Sequence, residues 1–211
     1  MSSIAQNIAA IRATLPQGVQ LVCVSKFHPT TAILEAYNAG ERNFGESRVQ
    51  ELCAKQPELP ADIRWHFIGH LQTNKVRQIV PFIHLIHSVD STRLLATINA
   101  EAARANRIIN VLLEVHTADE TTKSGFLPDE LKTINPDAYS NVNICGLMTM
   151  ATNTNDEKEI HRCFRLLNTL ADSDKHFTIR SMGMSDDYLL AVQDGSNMIR
   201  IGTDIFGARQ Y

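Results

Sequence analysis

Residues 21–26, LVCVSK, set the interpretation of the rest of the chain. A continuous apolar run rich in β-branched residues is typical of a parallel strand that is buried on both faces. Lys26 ends this run, and a lysine there needs a partner or a chemical purpose because burying its charge is costly. One purpose is covalent: desolvation lowers the pKa of a lysine, which leaves more of the neutral amine that condenses with aldehydes.

The same kind of stretch recurs along the chain, and helical patterns separate most of the copies. The predicted strands are 20–26, 42–46, 64–69, 85–89, 110–116, 143–149, 177–183 and 198–203. The predicted helices are 3–14, 29–39, 47–56, 91–106, 157–171 and 186–194. Strands that alternate with helices indicate right-handed βαβ units and a parallel sheet.

Eight strands favour an α/β fold in which the sheet closes into a (β/α)8 TIM barrel, with an extra helix before the first strand. An open doubly wound sheet is the alternative. No GxGxxG segment follows the first strand, which weakens the dinucleotide-binding form of that alternative. No linker or low-complexity segment divides the sequence, and 211 residues are near the lower limit for such a barrel. We therefore expect a single domain over residues 1–211.

Bulk composition excludes several classes of protein. The net charge of −3 provides no general attraction to nucleic acid or to an anionic membrane. The N-terminus lacks the pattern of a secretory signal, and no apolar stretch approaches the roughly 20 residues that span a bilayer. The 4 cysteines form no CxxC pair, so neither a zinc site nor a disulfide framework is indicated. We expect a cytoplasmic protein with reduced thiols.

In such a barrel the functional groups collect at the carboxyl ends of the strands. The residues predicted to lie on or just after these ends are Lys26, Asn43, Glu46, His66, His70, Asp90, Glu114, His116, Met148, Ser181, Ser185, Arg200, Gly202 and Thr203. Lys26 and Arg200 are predicted on neighbouring strands and should repel each other unless an anion or a ligand lies between them. The alternative is that each pairs with an acid, such as Glu46 or Glu114.

A phosphate site is a second candidate, because barrels often bind phosphate with the loops after strands 7 and 8. Ser185 leads into a predicted helix, and Gly202 and Thr203 offer an open backbone and a hydroxyl. Ser185 is equally suited to be a helix N-cap. Asp186 and Asp187, in the predicted first turn, would repel a phosphate if aimed at it. The sequence leaves both interpretations open.

The histidines do not predict a metal site. His66 and His70 lie four residues apart, but the pattern between them is a strand followed by a loop, so the helical metal-pair geometry is absent. We expect hydrogen-bonded structural roles for these two and for His84 and His87.

Longer motifs are distributed over almost the whole chain. They are VSK (24–26), NFGE (43–46), VQE (49–51), WHFIG (65–69), LQTNK (71–75), HSVD (87–90), KSG (123–125), GLM (146–148), SMGMSDD (181–187), RIGT (200–203) and IFG (205–207). The motifs that begin at Trp65 and Ser181 are long and specific. Together the motifs resemble those of the pyridoxal phosphate homeostasis protein family.

This resemblance implies a barrel of the alanine racemase N-terminal type that holds pyridoxal 5′-phosphate (PLP). Lys26 corresponds to the lysine that forms the internal aldimine with PLP, and Arg200 to the arginine that faces the pyridine nitrogen. Ser185, Gly202 and Thr203 correspond to the stretches that hold the phosphate. An arginine at the ring nitrogen disfavours its protonation, which weakens the cofactor as an electron sink.

Asn43, His66 and Met148 complete the expected PLP-binding residues, and no catalytic or metal-binding residue is assigned. The chain departs from the family motif at Ser47, where an asparagine usually follows Phe-Gly-Glu. If that asparagine touches the cofactor, Ser47 is expected to alter its hold or to leave room for a water. Lys123 is an open candidate for a secondary aldehyde-reactive site.

The resemblance implies a non-enzymatic monomer that binds PLP reversibly and buffers or delivers it, with PLP-dependent apo-enzymes as candidate recipients. Racemases of the related fold complete their site with a second domain, whereas this sequence ends soon after its eighth strand, which favours a carrier. The alternative is a small PLP enzyme such as an amino-acid racemase, with Lys26 as base and His66 or Tyr211 as a second proton donor. A barrel that binds another phosphorylated metabolite without a covalent link is the third hypothesis.

Overall fold

The computed structural model describes residues 3–118 and 124–208. Within them, eight parallel strands pair in chain order and the last pairs with the first, which closes a barrel. The strands are β1 (Gln20–Val24), β2 (Asn43–Glu46), β3 (Arg64–Phe67), β4 (Leu85–Val89), β5 (Ile109–Glu114), β6 (Val142–Met148), β7 (Ile179–Ser181) and β8 (Met198–Ile201). The predicted (β/α)8 barrel is therefore confirmed.

Helices lie on the outside of this barrel, most of them between successive strands. They are α1 (Ile4–Thr14), α2 (Thr30–Asn38), α3 (Val49–Lys55), α4 (Val76–Ile79), α5 (Thr92–Arg104), α6 (Pro128–Leu131), α7 (Glu157–Asp172), α8 (Tyr188–Gln193) and α9 (Thr203–Phe206). The sequence did not predict α4, α6 and α9, because a single turn contains no hydrophobic repeat. None of the helices in the described ranges is long and apolar enough to span a membrane.

Most of the predicted strands continue too far at their carboxyl ends. The first predicted strand includes Lys26, but β1 ends at Val24 and Lys26 lies in the turn that follows. Gly202 and Thr203 likewise lie beyond β8. The amino-acid composition does not show where these strands end. After β1 the backbone turns sharply, because Phe27 has a φ of 68° and His28 N donates to Ser25 O at 3.1 Å.

Alternation of side chains along the strands separates two apolar regions. The larger lies between the outer faces of the strands and the helices, and Phe44, Phe67 and Phe164 are fully buried in it. The smaller lies inside the barrel and is formed by Val22, Leu85, Leu112, Met148 and Met198. Packed side chains thus fill the interior, as expected for a barrel of eight strands.

The amino-terminal end of the barrel is held by an ion pair between α1 and the residues before β2. The Glu41 carboxylate accepts hydrogen bonds from Arg12 Nε at 2.8 Å and from Arg12 Nη2 at 2.7 Å. Glu41 is buried, and its position before Asn43 places the pair away from the carboxyl ends of the strands. This pair ties the extra N-terminal helix to the barrel.

Candidate functional site

Lys26 lies at the carboxyl end of the barrel and is half-buried. It lines a small depression together with Val24, His28, Gly202 and Thr203. The depression forms because β1 and β8 are adjacent strands in the closed sheet. The structure therefore brings together three of the predicted site residues: Lys26, Gly202 and Thr203.

Gly202 permits the close approach of the two turns that line this depression. A Cβ at Gly202 would lie 3.3 Å from Val24 O and 3.4 Å from Val24 Cβ, so a larger residue would push the turns apart. The carbonyl of Gly202 accepts hydrogen bonds from Ile205 N and Phe206 N and thereby starts α9. Thr203, the first residue of α9, is exposed and can offer its hydroxyl to a ligand.

Ser185 lies in the turn between β7 and α8 and is half-buried. The N-cap residue of α8 is Asp187, not Ser185, because α8 begins at Tyr188. Asp187 Oδ1 accepts a hydrogen bond from Met184 N at 2.6 Å and is thus committed to its own turn. The alternative role of Ser185 as a helix cap is therefore wrong, and so is the placement of Asp186 and Asp187 in the first helical turn.

Arg200 is buried in the interior of the barrel, on β8. Its Nη1 donates to Ser181 O at 2.8 Å and to Ser181 Oγ at 2.7 Å, and its Nη2 donates to Thr149 O at 3.0 Å. These acceptors are uncharged. Burial lowers the pKa of Arg200 to about 10, against the attraction of Asp187 and Glu114. The alternative that Arg200 pairs directly with an acid is therefore wrong, because its hydrogen bonds go to neutral groups.

A chain of hydrogen bonds continues from Arg200 across the interior. Ser181 Oγ lies 3.0 Å from His87 Nδ1, and His87 Nε2 lies 2.8 Å from His66 Nδ1. His66 Nε2 lies 3.3 Å from Asn43 Oδ1. Three predicted site residues, Asn43, His66 and Arg200, are therefore connected through His87 and Ser181.

The direction of this chain follows from its Asn43 end. An amide oxygen only accepts, so His66 donates from Nε2 to Asn43 Oδ1, and Nδ1 of the neutral His66 ring accepts from His87 Nε2. His87 Nδ1 then accepts from Ser181 Oγ, which itself accepts from Arg200. Burial lowers the pKa of His66 to about 3 and lowers the pKa of His87 well below its usual range. Both rings are therefore neutral near pH 7, as this chain requires.

His87 was not among the residues predicted at the carboxyl ends of the strands, and Ser181, which was among them, had no role assigned. The signal that would have found them is the two-residue period of a strand. His87 follows the inward-facing Leu85 by two residues, and Ser181 follows Ile179, which packs against the interior cluster. Both residues also begin motifs of the sequence, HSVD (87–90) and SMGMSDD (181–187).

Met148 and Glu114 lie side by side at the ends of β6 and β5, where the two residues are register partners. Met148 belongs to the apolar cluster inside the barrel. Burial raises the pKa of Glu114 to about 7, Asp90 adds to this effect, and Arg200 opposes it. Glu114 is thus a buried acid that titrates near neutral pH.

Glu46 faces α3 rather than the opening of the barrel. Its Oε1 accepts hydrogen bonds from Lys55 Nζ at 2.8 Å and from Ser25 Oγ at 2.7 Å, and its side chain is fully buried. The prediction that Glu46 belongs to the groups at the opening is therefore wrong. Alternation explains the difference, because its neighbour Gly45 lies against Val22 and Val24.

The remaining polar candidates lie apart from the depression at Lys26. His70 is exposed, and its Nδ1 lies 3.1 Å from Asp90 Oδ2. Among the described residues, no group of three or more His, Cys, Asp or Glu side chains is placed to hold a metal ion. Lys123 and Tyr211, which the sequence raised as a secondary site and as a proton donor, lie outside the described residues.

Comparisons with known proteins agree with this fold. Residues 1–210 match the family model described as "Alanine racemase, N-terminal domain". The pyridoxal phosphate homeostasis protein of Pseudomonas aeruginosa is 38% identical over 226 residues, which cover 100% of this chain and 98% of that protein.

Two solved structures of PipY from Synechococcus elongatus PCC7942 have the same fold. The structure without PLP is 40% identical, with a TM-score of 0.93, and the match covers 97% of this chain and 100% of PipY. The structure with PLP bound is 39% identical, with a TM-score of 0.87 and the same coverage.

Proposed function

We propose that this chain, which belongs to the pyridoxal phosphate homeostasis protein family, binds PLP and takes part in PLP homeostasis as a carrier without catalytic turnover. The observation that carries the proposal is the depression shared by Lys26, Gly202 and Thr203. It places a primary amine beside an open backbone and a hydroxyl. The PLP-bound structure of PipY supports the choice of ligand.

The residues at the depression match the aldehyde and the phosphate of PLP in their chemistry. When bound, PLP supplies an aldehyde that condenses with a primary amine with loss of water. Lys26 Nζ is the amine that we assign to this linkage. The Gly202 backbone and the Thr203 hydroxyl are assigned to the phosphate, with Ser185 in the neighbouring turn as a further donor.

Arg200 is assigned to the pyridine ring of the cofactor. Its guanidinium is held by Ser181 and Thr149, so its charge has a defined place in the interior. A fixed positive charge near the ring nitrogen disfavours a proton there and so opposes carbanion chemistry. The chain of hydrogen bonds from Asn43 through His66 and His87 to Ser181 helps to hold Arg200 in place, and Met148 is assigned to an apolar wall of the site.

The racemase alternative needs a second proton donor, and His66 is poorly suited to that role. Both of its ring nitrogens are engaged in hydrogen bonds, and burial lowers its pKa to about 3. It is therefore neutral at physiological pH and has no proton to spare without breaking the chain to Arg200. This argument favours a carrier over an amino-acid racemase.

The test is the visible absorption spectrum of the protein incubated with PLP, before and after borohydride, followed by peptide mapping. We expect a band that borohydride removes and a pyridoxyl group on Lys26. Lys26→Ala should abolish the band, whereas the matched control Lys132→Ala, at an exposed lysine paired with Asp129, should retain it. A wild-type protein with no such band would overturn the proposal and leave the third hypothesis, a barrel for another phosphorylated metabolite.

Turnover separates the two PLP-dependent hypotheses. We expect no interconversion of L- and D-amino acids by the wild-type protein. Interconversion that is lost in Lys26→Ala would establish the enzyme instead.

The wider cellular role extends the same proposal. We infer a single-domain, monomeric, cytoplasmic carrier that passes PLP to apo-enzymes. Sedimentation at several protein concentrations tests the monomer. Transfer of PLP from the loaded protein to an apo-transaminase, compared with the same concentration of free PLP, tests delivery.

A further inference from the structure

A cluster of polar and charged groups lies between the outside of the barrel and α3, directly behind the turn that contains Lys26. This outer cluster consists of Ser25, Glu46, Glu51 and Lys55. Lys55 Nζ is at its centre and donates to Glu46 Oε1 at 2.8 Å, to Glu51 Oε1 at 2.7 Å and to Ser25 O at 2.9 Å. The side chain of Lys55 is only 10% exposed.

The outer cluster holds both peptide groups that flank Lys26. The carbonyl of Ser25 belongs to the peptide group before Lys26, and it accepts from Lys55 Nζ. The N–H of Phe27 belongs to the peptide group after Lys26, and it donates to Glu51 Oε1 at 2.6 Å. Since Glu51 and Lys55 also bind each other, the backbone on both sides of Lys26 is fastened to one ion pair on α3.

The backbone at this point requires such a restraint. Phe27 has a φ of 68°, in the left-handed region that residues with a side chain seldom adopt. Strained residues of this kind persist only where the surroundings hold them. The hydrogen bond from Phe27 N to Glu51 and the Arg48 guanidinium, 4.7 Å from the centre of the Phe27 ring, hold this residue from two sides.

Fold stability alone does not account for the outer cluster. Glu46 is fully buried, and its Oε2 has no hydrogen-bond partner among the described residues. A buried ion pair with an unsatisfied oxygen is weak evidence for stability, because well-packed apolar residues often serve the fold equally well. The bonds to Ser25 O and Phe27 N instead connect this charge to the residue assigned to the cofactor.

We propose that Glu51 and Lys55, supported by Glu46, are positioning residues that orient Lys26 toward the depression by fixing the two peptide groups on either side of it. The inference rests on the proposed attachment of PLP to Lys26. A small displacement of a reacting group can cost orders of magnitude in rate, so these residues control how fast PLP is captured and released without touching it.

The test uses three variants of the full chain. Glu51→Ala removes the acceptor of the Phe27 N–H, and Lys55→Met removes the donor to Ser25 O at similar length. Glu51→Gln is the conservative variant, because its amide oxygen can still accept from Phe27. The matched control is Glu41→Gln, which weakens the ion pair between the buried Glu41 and the partly exposed Arg12 at the opposite end of the barrel.

Three properties are measured for each variant: the rate of PLP dissociation from the loaded protein, hydrogen exchange of the Phe27 amide in the apo-protein, and the melting temperature of the apo-protein. We expect Glu51→Ala and Lys55→Met to release PLP about tenfold faster or more. Phe27 should exchange faster in Glu51→Ala, and Glu51→Gln should restore most of both properties. Glu41→Gln should lower the melting temperature and leave PLP release unchanged.

The outcomes separate this inference from the proposed function. If wild-type Lys26 carries no PLP, the proposed function fails. If wild-type Lys26 carries PLP but Glu51→Ala and Lys55→Met release it at the wild-type rate, the positioning role is wrong and the function stands. Equal acceleration in Glu41→Gln would reduce the effect to general destabilisation and would also overturn the positioning role. If Glu51→Ala does not fold, Lys55→Met and Glu51→Gln decide the question by the same criteria.

Discussion

His66 and His87 hydrogen-bond to each other inside the barrel, with Nδ1 of the first 2.8 Å from Nε2 of the second. Both side chains are fully buried, and each has its other ring nitrogen engaged, with Asn43 and with Ser181 respectively. The pair therefore forms the middle of a continuous polar connection between β2 and Arg200. Because the interior around it is closed to water, every member depends on its neighbours for its hydrogen bonds.

Replacing His87 by phenylalanine should destabilise the protein. The change leaves His66 Nδ1 and Ser181 Oγ each short of a partner, and a buried polar group without one costs about 1–3 kcal/mol. We expect His87→Phe to lower the free energy of unfolding of the apo-protein by about 2–4 kcal/mol in urea at pH 7.5. His70→Ala, at an exposed histidine, should change it by less than about 0.5 kcal/mol. Equal stabilities for the two variants would contradict the connection.

The buried histidines should make the fold less stable in acid. The pKa of His66 is about 3 in the folded protein and about 6.5 in the unfolded chain, so between these values the unfolded state binds more protons. Stability therefore falls as the pH falls through this window, by up to about 1.4 kcal/mol per pH unit for this residue. Between about pH 6 and pH 4, His66→Asn should reduce the slope of the free energy of unfolding against pH by that amount. Urea unfolding at several pH values measures it, and parallel curves for the two proteins would refute the assignment.

Glu114 should lower the free energy of unfolding as the pH rises, which is the opposite of the effect of His66. Its pKa is raised to about 7 in the fold, so the folded state retains a proton that the unfolded chain has lost. Below about pH 4.5 the Glu114 carboxyl is protonated in both states and costs no stability. As the pH rises toward and through 7, burial of this acid becomes a penalty that lowers the free energy of unfolding. The isosteric change Glu114→Gln removes the penalty, so the variant should be more stable than the wild type by about 2–3 kcal/mol at pH 8. The advantage should vanish near pH 4.5, and a constant difference at all pH values would exclude titration of Glu114 as the cause.

Two glycines near the opening of the barrel should differ in their tolerance of alanine. A Cβ on Gly69 would lie 2.3 Å from Ser47 O and 2.8 Å from Ser47 Cα, so the backbone itself must move. A Cβ on Gly45 would meet side-chain atoms instead of backbone: Val22 Cγ1 at 3.2 Å, Ile68 Cδ1 at 3.3 Å and Val24 Cγ2 at 3.6 Å. We expect Gly69→Ala to cost about 3 kcal/mol of stability or more and Gly45→Ala about 1 kcal/mol. Thermal unfolding of both variants measures the two losses of stability, and a larger loss in Gly45→Ala would contradict the prediction.

The approach of Gly69 to Ser47 also bears on the departure from the family motif. Ser47 replaces the asparagine that usually follows Phe-Gly-Glu, and its backbone lies against the turn after β3. The sequence identified the replacement but not this contact. Ser47 is half-buried at the start of the turn after β2, and its effect on PLP binding stays a prediction.

The family was correctly identified from motifs alone, because those motifs are long and extend over most of the chain. The relatives at 38–40% identity confirm it. The prediction that strands 1 and 8 are neighbours in a closed sheet is also confirmed, and this closure brings Lys26 to Gly202 and Thr203. The assignment of these residues to PLP remains a proposal that the experiments above address.

The errors in the site have a common physical origin. Ser185 was treated as a candidate helix cap because helix boundaries are weakly encoded, and α8 begins at Tyr188. Glu46 was placed at the opening because it ends a strand, but its side chain faces α3 and binds Lys55. In both cases the residue lies near the end of an element, where neighbouring residues face in different directions and the sequence does not show which way a side chain points.

Local patterns in the sequence determined the number, order and type of the strands, because burial of both faces and the helical period are properties of neighbouring residues. They also determined that Lys26 lies where strand 1 meets the opening. Only the tertiary structure decided which polar groups meet: His87 reaches Ser181 across 94 residues, and Lys55 reaches the Ser25 carbonyl across 30. Such pairs form because closing the barrel brings distant side chains within about 3 Å of each other in a buried environment, where each donor needs an acceptor.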